Sequence, residues 1–561
     1  MGWRQHAGLL LVWVAVGAAL RFTNLDAKSL WSDEISTLVF SLGNSVRDIP
    51  LDQAIDLNRL LLPLQPRAIA GVGDVLHYLM TESNHPPTYF VLDHLWLRLF
   101  SPENGLVSVT AARSLPALLG VGAIPAMFGL GWLTFRSHIV AHLVAVLMAV
   151  SPFGVYLAQE ARHYTLGMLL IIASLACLVV AAQSIRDRVP LPVWLCLTWV
   201  GVNGLGLSVH YFFALTLCAE GLVLLSLGLW DVWQRKSFYS GWWRIGVVGL
   251  GTAIGALIWL PLWQGTGDGG LTHWIFKSDP INRWLWTLLR IFVWLVSMVT
   301  LLPVENQPLP VTIASAIVLL GLVAWLLPVV FRELKLLLKE PLTRGATQTL
   351  GGFILGAIGL FLAIANILGA DLTVAVRYHF VYFPAVLLLL GAVLARCWQP
   401  PNLLAGQRLK VKLKVKLLQA RGKPTVVLVV LLGAIASGLV VTNQVFQKPH
   451  RADLLSKEIQ STSQVPVLIA MTNGNDLRFR EMIALGYEFL GSPAMPRFLL
   501  VNVRPNPGNT LVLERTIAQL RWPLDVWTIN YSPDAVPGCN LDSQHSSKVN
   551  GYRYRRFQCP G

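Results

Sequence analysis

The stretch YTLGMLLIIASLACLVVAAQ, residues 164–183, runs twenty residues without an acid or a base. As a helix rising about 1.5 Å per residue it is about 30 Å long, the thickness of the hydrocarbon core of a bilayer. Working outward, comparable stretches recur near 5–22, 106–132, 139–156, 191–209, 212–230, 245–263, 311–331, 348–369, 380–396 and 425–442. The pattern predicts about eleven membrane spans. Composition agrees: of 561 residues 54% are hydrophobic and only 13% charged, with a mean hydropathy of +0.58. That is too apolar for a chain that hides its apolar side chains in one soluble core. Backbone groups in lipid must be satisfied within their own segment, and the runs of Leu, Val, Ile, Ala and Gly lack the alternation of a barrel, so the spans are predicted to be helices.

The formal charge of +15 resides in short basic stretches between spans. The densest is Arg408, Lys410, Lys412, Lys414, Lys416, Arg421 and Lys423, with apolar residues between the lysines. It reads as a topology anchor against anionic lipid, and no nucleic-acid partner is expected. Arg4 precedes the first stretch, which is read as an uncleaved span with a cytoplasmic N-terminus; a cleaved signal peptide is the other reading, and either puts the next segment outside. The apolar stretch 284–302 is left out of the spans. If it crossed, Arg332, Lys335, Lys339 and Arg344 would lie outside and the 408–423 cluster would break the positive-inside rule again. Trp284, Trp286, Arg290 and Trp294 suit a re-entrant or interfacial helix there.

This bookkeeping makes 23–105, 157–163, the turn near 210, 264–310, 370–379 and 443–561 external. Residues 1–442 then form a transmembrane domain with a first external loop at 23–105. Residues 443–561 form a small external α/β domain, with strand-like runs Val465–Met471, Phe498–Val503 and Val526–Tyr531 and a helical stretch near 476–490. Of six cysteines, Cys177, Cys196, Cys218 and Cys397 read as small apolar filler in or beside spans. Cys539 and Cys559 fall in the external domain, where an oxidising compartment allows a disulfide.

The external segments hold the unusual polar residues. Leu30-Trp31-Ser32-Asp33-Glu34 places two adjacent carboxylates shortly after the first span. Adjacent acids repel, so a site that holds both has a use for them; a helix cap by Ser32 or Asp33 is the plainer alternative. Asn84-His85-Pro86-Pro87-Thr88-Tyr89 sets His85 just before a predicted helix N-terminus, where an anion is welcome. Ser151-Pro152-Phe153-Gly154 loosens a helix and leads to Gln159-Glu160-Ala161-Arg162-His163-Tyr164, with Glu160, His163 and Tyr164 toward one side at helical spacing. His210-Tyr211-Phe212 and Arg377-Tyr378-His379 are further external turns that put polar or cationic groups beside aromatics. Arg377 runs against the positive-inside bias and calls for an anionic partner such as a phosphate.

In order and context these motifs resemble the GT-C membrane glycosyltransferases. The likeness is to a first external loop with Asp-Glu, then His-Pro-Pro-x-Tyr, Ser-Pro leading to Gln-Glu-Ala-Arg-x-Tyr, His-Tyr, and Arg-Tyr before a late span. The branch most similar is the family 39-like one of protein O-mannosyltransferases and aminoarabinose transferases, over about residues 1–400. The resemblance implies an all-α polytopic GT-C-like fold. It also implies transfer of a sugar from a polyprenyl-phosphate donor to an acceptor hydroxyl on a lipid, glycan or protein, at the external face of a plasma (inner) membrane. By that likeness Asp33 takes the place of the catalytic carboxylate, Glu34 is its neighbour and Glu160 is a second acid, with His85, Arg162, His210 and Arg377 carried over more loosely.

The chemistry is consistent with this. An attacking hydroxyl needs a carboxylate to receive its proton, and a phosphate leaving group needs cations. Asp33 is expected to be the base, Arg377 and Arg162 to meet the phosphate, and Tyr89 or Tyr164 to shape the sugar pocket, with Tyr211 and Tyr378 beside them. Inversion follows if no carboxylate attacks first. No cofactor is required, although Asp33, Glu34, Glu160 and His85 suit a divalent cation as an alternative use. Residues 443–561 match no catalytic pattern and are assigned to acceptor recognition or scaffolding. The competing class is a multi-pass transporter or lipid flippase, for which Glu220 inside a span is the best support unless a local hydrogen bond satisfies it. A receptor or assembly protein ranks third.

Overall fold

A computed structural model describes residues 2–560 except 236–238, 260–272, 277–282, 399–421, 494, 505–507, 534 and 550. The basic cluster from Arg408 to Arg421 therefore lies outside the described residues. The chain divides into two compact units, one of residues 1–24, 113–261 and 274–446, the other built chiefly of 25–112 and 447–561.

The first unit is helical. Among the described residues seven helices are long and apolar enough to cross a membrane: Trp3–Phe22, Val109–Phe135, Tyr164–Asp187, Phe213–Gln234, Leu309–Lys339, Pro341–Ile367 and Lys423–Val441. An eighth candidate is the pair His138–Val150 and Pro152–Ala158, bent by 56°. The expected spans near 191–209, 245–263 and 380–396 correspond to shorter apolar helices, Val193–Val209, Trp242–Leu257 and Phe383–Trp398. The stretch left out of the spans forms Arg283–Ser297, fastened at its polar edge by Arg290 to Asp371 (2.6 Å) and by the Trp294 indole N–H to the Thr373 carbonyl (2.8 Å).

The bend has a sequence cause. Pro152 lacks an N–H and drives the preceding residue out of the helical region, so Ser151 is extended, its hydroxyl accepting from the Gly154 N–H. A helix broken in an apolar setting leaves carbonyls without donors, and these must be met by neighbours. Arg21, fully buried, donates to the carbonyls of Met148 (2.8 Å) and Ala149 (3.0 Å), and the Ser437 hydroxyl to that of Val150 (2.8 Å). Gln159 reaches back to the carbonyls of Leu20 and Thr23 (3.2 and 2.9 Å).

The second unit is a six-stranded sheet of β1 (Ala54–Ile55), β2 (Val467–Asn473), β3 (Arg497–Asn502), β4 (Leu524–Ile529), β5 (Asn540–Val549) and β6 (Tyr552–Cys559), in the order β1-β3-β2-β4-β6-β5. The three central strands are parallel and the outer ones antiparallel. Parallel neighbours need crossovers, supplied by Asp476–Tyr487 and Gly508–Ala518. One face buries Leu468, Ala470, Leu499, Val501 and Val526 with Leu513 and Ile517 of the second crossover helix. Cys539 and Cys559 form a disulfide.

All three expected strands and the expected helix are present. The first loop, grouped from the sequence with the membrane part, contributes β1 to this sheet and belongs to the same unit as residues 447–561. Asp52 fastens it, receiving the Asn502 N–H (3.0 Å) and the Arg504 guanidinium (2.6 Å), and Arg47 pairs with Asp476 (2.8 Å). The loop has its own small core of Phe40, Val75, Leu79 and Phe90.

Candidate functional site

In the helical unit, the bend at Ser151-Pro152 delivers a helix of about two turns, Pro152–Ala158, and then the polar run Gln159 to His163 before the helix Tyr164–Asp187 begins. Glu160, Arg162, His163 and Tyr164 are each at most 2% exposed. Burying a carboxylate and a guanidinium together in an apolar setting is costly unless each is paired, which makes this run unlike ordinary span termini. The Tyr156 hydroxyl donates to Glu160 and also feels the charge of Arg377.

His210 ends the helix Val193–Val209 and accepts the Phe212 N–H at 3.0 Å on its Nδ1. Its ring lies 4.4 Å from that of His163, 5.5 Å from Tyr164 and 5.0 Å from Phe380. The short turn Val376–Val381 brings Arg377, whose guanidinium sits 5.2 Å from the Tyr378 ring, and Tyr378 meets Phe212 edge-on at 4.4 Å. The Arg162 guanidinium is 5.9 Å from the Tyr164 ring. The turns at 156–164, 210–212 and 377–380, scattered in sequence, thus form one cluster of a carboxylate, two guanidiniums, imidazoles and aromatic faces. Tyr211 is half-buried at its edge.

In the second unit, Asp33 and Glu34 occupy the first turn of the helix Ser32–Ser41, where negative charge suits the helix N-terminus. The cap position is Trp31, and no side chain caps it. Neither Ser32 nor Asp33 therefore serves as the cap that the plainer reading of this dipeptide supposed. The two acids differ in surroundings. Asp33 is partly exposed, whereas Glu34 is fully buried with its Oε2 3.4 Å from the Nζ of Lys448, itself 3% exposed and 5.3 Å from the Trp31 ring centroid. His85 shares a 2.9 Å hydrogen bond with the Ser83 hydroxyl and packs edge-on to Phe90 before the helix Thr88–Leu97. Tyr89 is wholly buried.

Sequence reasoning missed Tyr156 and Lys448. Tyr156 had no signal apart from lying one helical turn before Glu160. Lys448 did have one: it follows the last span on the expected external side, where a cation opposes the positive-inside bias as Arg377 does. Glu220, the residue favouring a transporter, is hydrogen-bonded by the Ser174 hydroxyl (2.9 Å), which in turn receives the Trp199 indole N–H (3.1 Å). Among the described residues no three His, Cys, Asp or Glu side chains are arranged to hold a metal ion.

No protein-family model matches the sequence, and no curated protein matches it. Solved structures do. The chain is similar to ArnT from Cupriavidus metallidurans bound to undecaprenyl phosphate, with 14% identity, a TM-score of 0.50 and 99% of each chain covered. It is similar to the apo state of the same protein at 12% identity and a TM-score of 0.51, again over 99% of each chain. The Archaeoglobus fulgidus oligosaccharyltransferase in the apo form is more distant, at 14% identity and a TM-score of 0.45 over 94% of this chain and 70% of that one. The likeness to the two ArnT structures shows the fold: an all-α polytopic GT-C-like membrane protein carrying a small α/β domain.

Proposed function

We propose that this chain is a membrane glycosyltransferase that moves a sugar from a polyprenyl-phosphate donor to an acceptor hydroxyl at the external face of the plasma (inner) membrane, with inversion. The observation that carries the reading is the cluster of buried Glu160, Arg162 and His210 with half-buried Arg377 and its aromatic walls, in a chain with this fold. A phosphate needs fixed cations and a sugar ring needs aromatic faces and a carboxylate acceptor, and the cluster offers all of these. The ArnT structure that resembles this chain along its whole length holds undecaprenyl phosphate, a polyprenyl phosphate.

In the proposed reaction the acceptor oxygen attacks the anomeric carbon. The bond from that carbon to the phosphate oxygen breaks, and the electron pair leaves with the polyprenyl phosphate. Asp33 takes the acceptor proton, which suits a carboxylate that remains partly open to solvent. Arg377 and Arg162 offset the charge growing on the phosphate, and Glu160 hydrogen-bonds sugar hydroxyls while Tyr156 holds its carboxylate in place. A single displacement of this kind inverts the anomeric centre. The acceptor is a lipid, a glycan or a protein hydroxyl.

The test is to supply purified protein in detergent with labelled polyprenyl-phosphate sugars and candidate acceptors, and to compare wild type with Asp33→Asn. Transfer is expected to fall by about 10²–10⁴-fold, the worth of a positioned general base. Undiminished transfer by the variant would remove Asp33 from the role of base.

A further inference from the structure

We infer that Lys448 is a positioning residue for the Asp33-Glu34 pair: it neutralises Glu34 from a segment far along the chain and so leaves Asp33 as the carboxylate that exchanges protons. The inference rests on the proposed role of Asp33 and adds a residue and a division of labour that the role alone does not supply.

The argument begins with the dipeptide. Two adjacent carboxylates in one helical turn raise each other's proton affinity, so an unassisted pair shares its protons and neither is a well-defined base. The structure separates them. Glu34 has no exposed surface and Asp33 is partly exposed. A fully buried carboxylate without a cation would be held in its protonated form by desolvation. Lys448 provides the cation, with its Nζ 3.4 Å from Glu34 Oε2 and its own side chain 3% exposed. The ammonium also lies 5.3 Å from the centroid of Trp31, the residue at the cap position of the Asp33-Glu34 helix. One side chain thus meets both the cap residue and the second residue after Ser32, and fixes the turn that carries Asp33.

The lysine is held in turn by the α/β domain. Two residues on, His450 pairs with Glu481 (3.3 Å) and packs edge-on to Tyr552 of β6 at 5.4 Å. The start of the segment 447–561 is therefore anchored to the sheet, and Lys448 is presented from a rigid base. This gives the domain a part in the reaction separate from any acceptor it recognises.

The experiment compares wild type, Lys448→Met, Lys448→Arg, Glu34→Gln and the double variant Glu34→Gln/Lys448→Met, all as full-length protein in detergent. Two readouts are taken: donor turnover against pH with labelled polyprenyl-phosphate sugars, and thermal unfolding. Lys448→Met is expected to lower turnover at least about 10-fold and to move the acid limb of the pH profile upward, since without the ammonium the two carboxyls share one proton that the pair gives up only at higher pH. Lys448→Arg is expected to restore most of the turnover and the wild-type limb. In unfolding, Lys448→Met and Glu34→Gln each remove one side of the Glu34–Lys448 contact, and the double variant is expected to melt above the sum of their single losses. A wild-type pH profile in Lys448→Met overturns the inference, as do additive melting shifts in the double variant. If wild type turns over no donor, the transferase reading fails, while the melting cycle still decides whether Lys448 and Glu34 act as a pair.

Discussion

Asp33 and Asp93 show how differently one side-chain type behaves in two settings. Asp33 stands partly exposed in the first turn of a helix, and the proposed reaction gives it the proton of the acceptor. Asp93, on the helix Thr88–Leu97 of the first loop, is fully buried, and that burial pushes its carboxyl up to about 7, with the Ser41 hydroxyl offsetting a little of the effect. Its folded value lies above its unfolded one, so between about pH 4 and pH 7 the folded protein keeps a proton that the unfolded chain has lost. Stability must then fall as pH rises through that window and stay low above it. Asp93→Asn carries no such charge and is expected to be more stable than wild type at pH 8, by on the order of 2–4 kcal/mol at most, with the advantage gone near pH 4. Denaturant unfolding at the two pH values measures it; an equal difference at both would remove Asp93 as the cause. The sequence marked Asp33 by its neighbour Glu34 but had no way to mark Asp93, because burial is not a local property.

At the scale of elements, the break at Ser151-Pro152 shapes the candidate site, since the polar run 159–163 follows directly from it. Proline predicts such a break from sequence alone. What keeps it from being ruinous is Arg21, which donates to two of the freed carbonyls from inside the first helix. Replacing it by Leu leaves those carbonyls without donors in an apolar setting and is expected to cost about 3–5 kcal/mol, seen as a lowered melting temperature in detergent. A neutral outcome for Arg21→Leu would mean that water or another donor satisfies the bend. From sequence, Arg21 reads only as the residue that closes the first span. Its assignment to the bend needed the packing of two helices far apart along the chain.

For the whole molecule, the eleven expected spans all have helices, eight of them long enough to cross when the bent pair is taken as one and three of them shorter. The expected orientation has its own check. In intact cells a membrane-impermeant maleimide should label Lys457→Cys, on the exposed face of Ala452–Thr462, and leave Val189→Cys unlabelled. Labelling of both or neither would overturn the assignment of sides. The α/β unit is a whole-molecule feature as well, because its sheet draws β1 from the first loop and its remaining strands from the C-terminal segment.

Spans, the bend, the three central strands and the candidacy of Asp33, Glu34, Glu160 and Arg377 were legible because apolar length, proline, alternation and misplaced charge are properties of short stretches read one at a time. The Glu34–Lys448 pair, the Arg21 donors beneath the bend and the two-residue strand β1 were not. Each joins segments distant in sequence, and no local pattern says which buried charge will meet which partner. That is decided when the chain returns on itself and a desolvated group must take the partner that packing brings to it. The sequence by itself therefore determined a polytopic helical protein with an acid pair after its first span, and only the tertiary structure decided which acid is buried against a cation and which is left open.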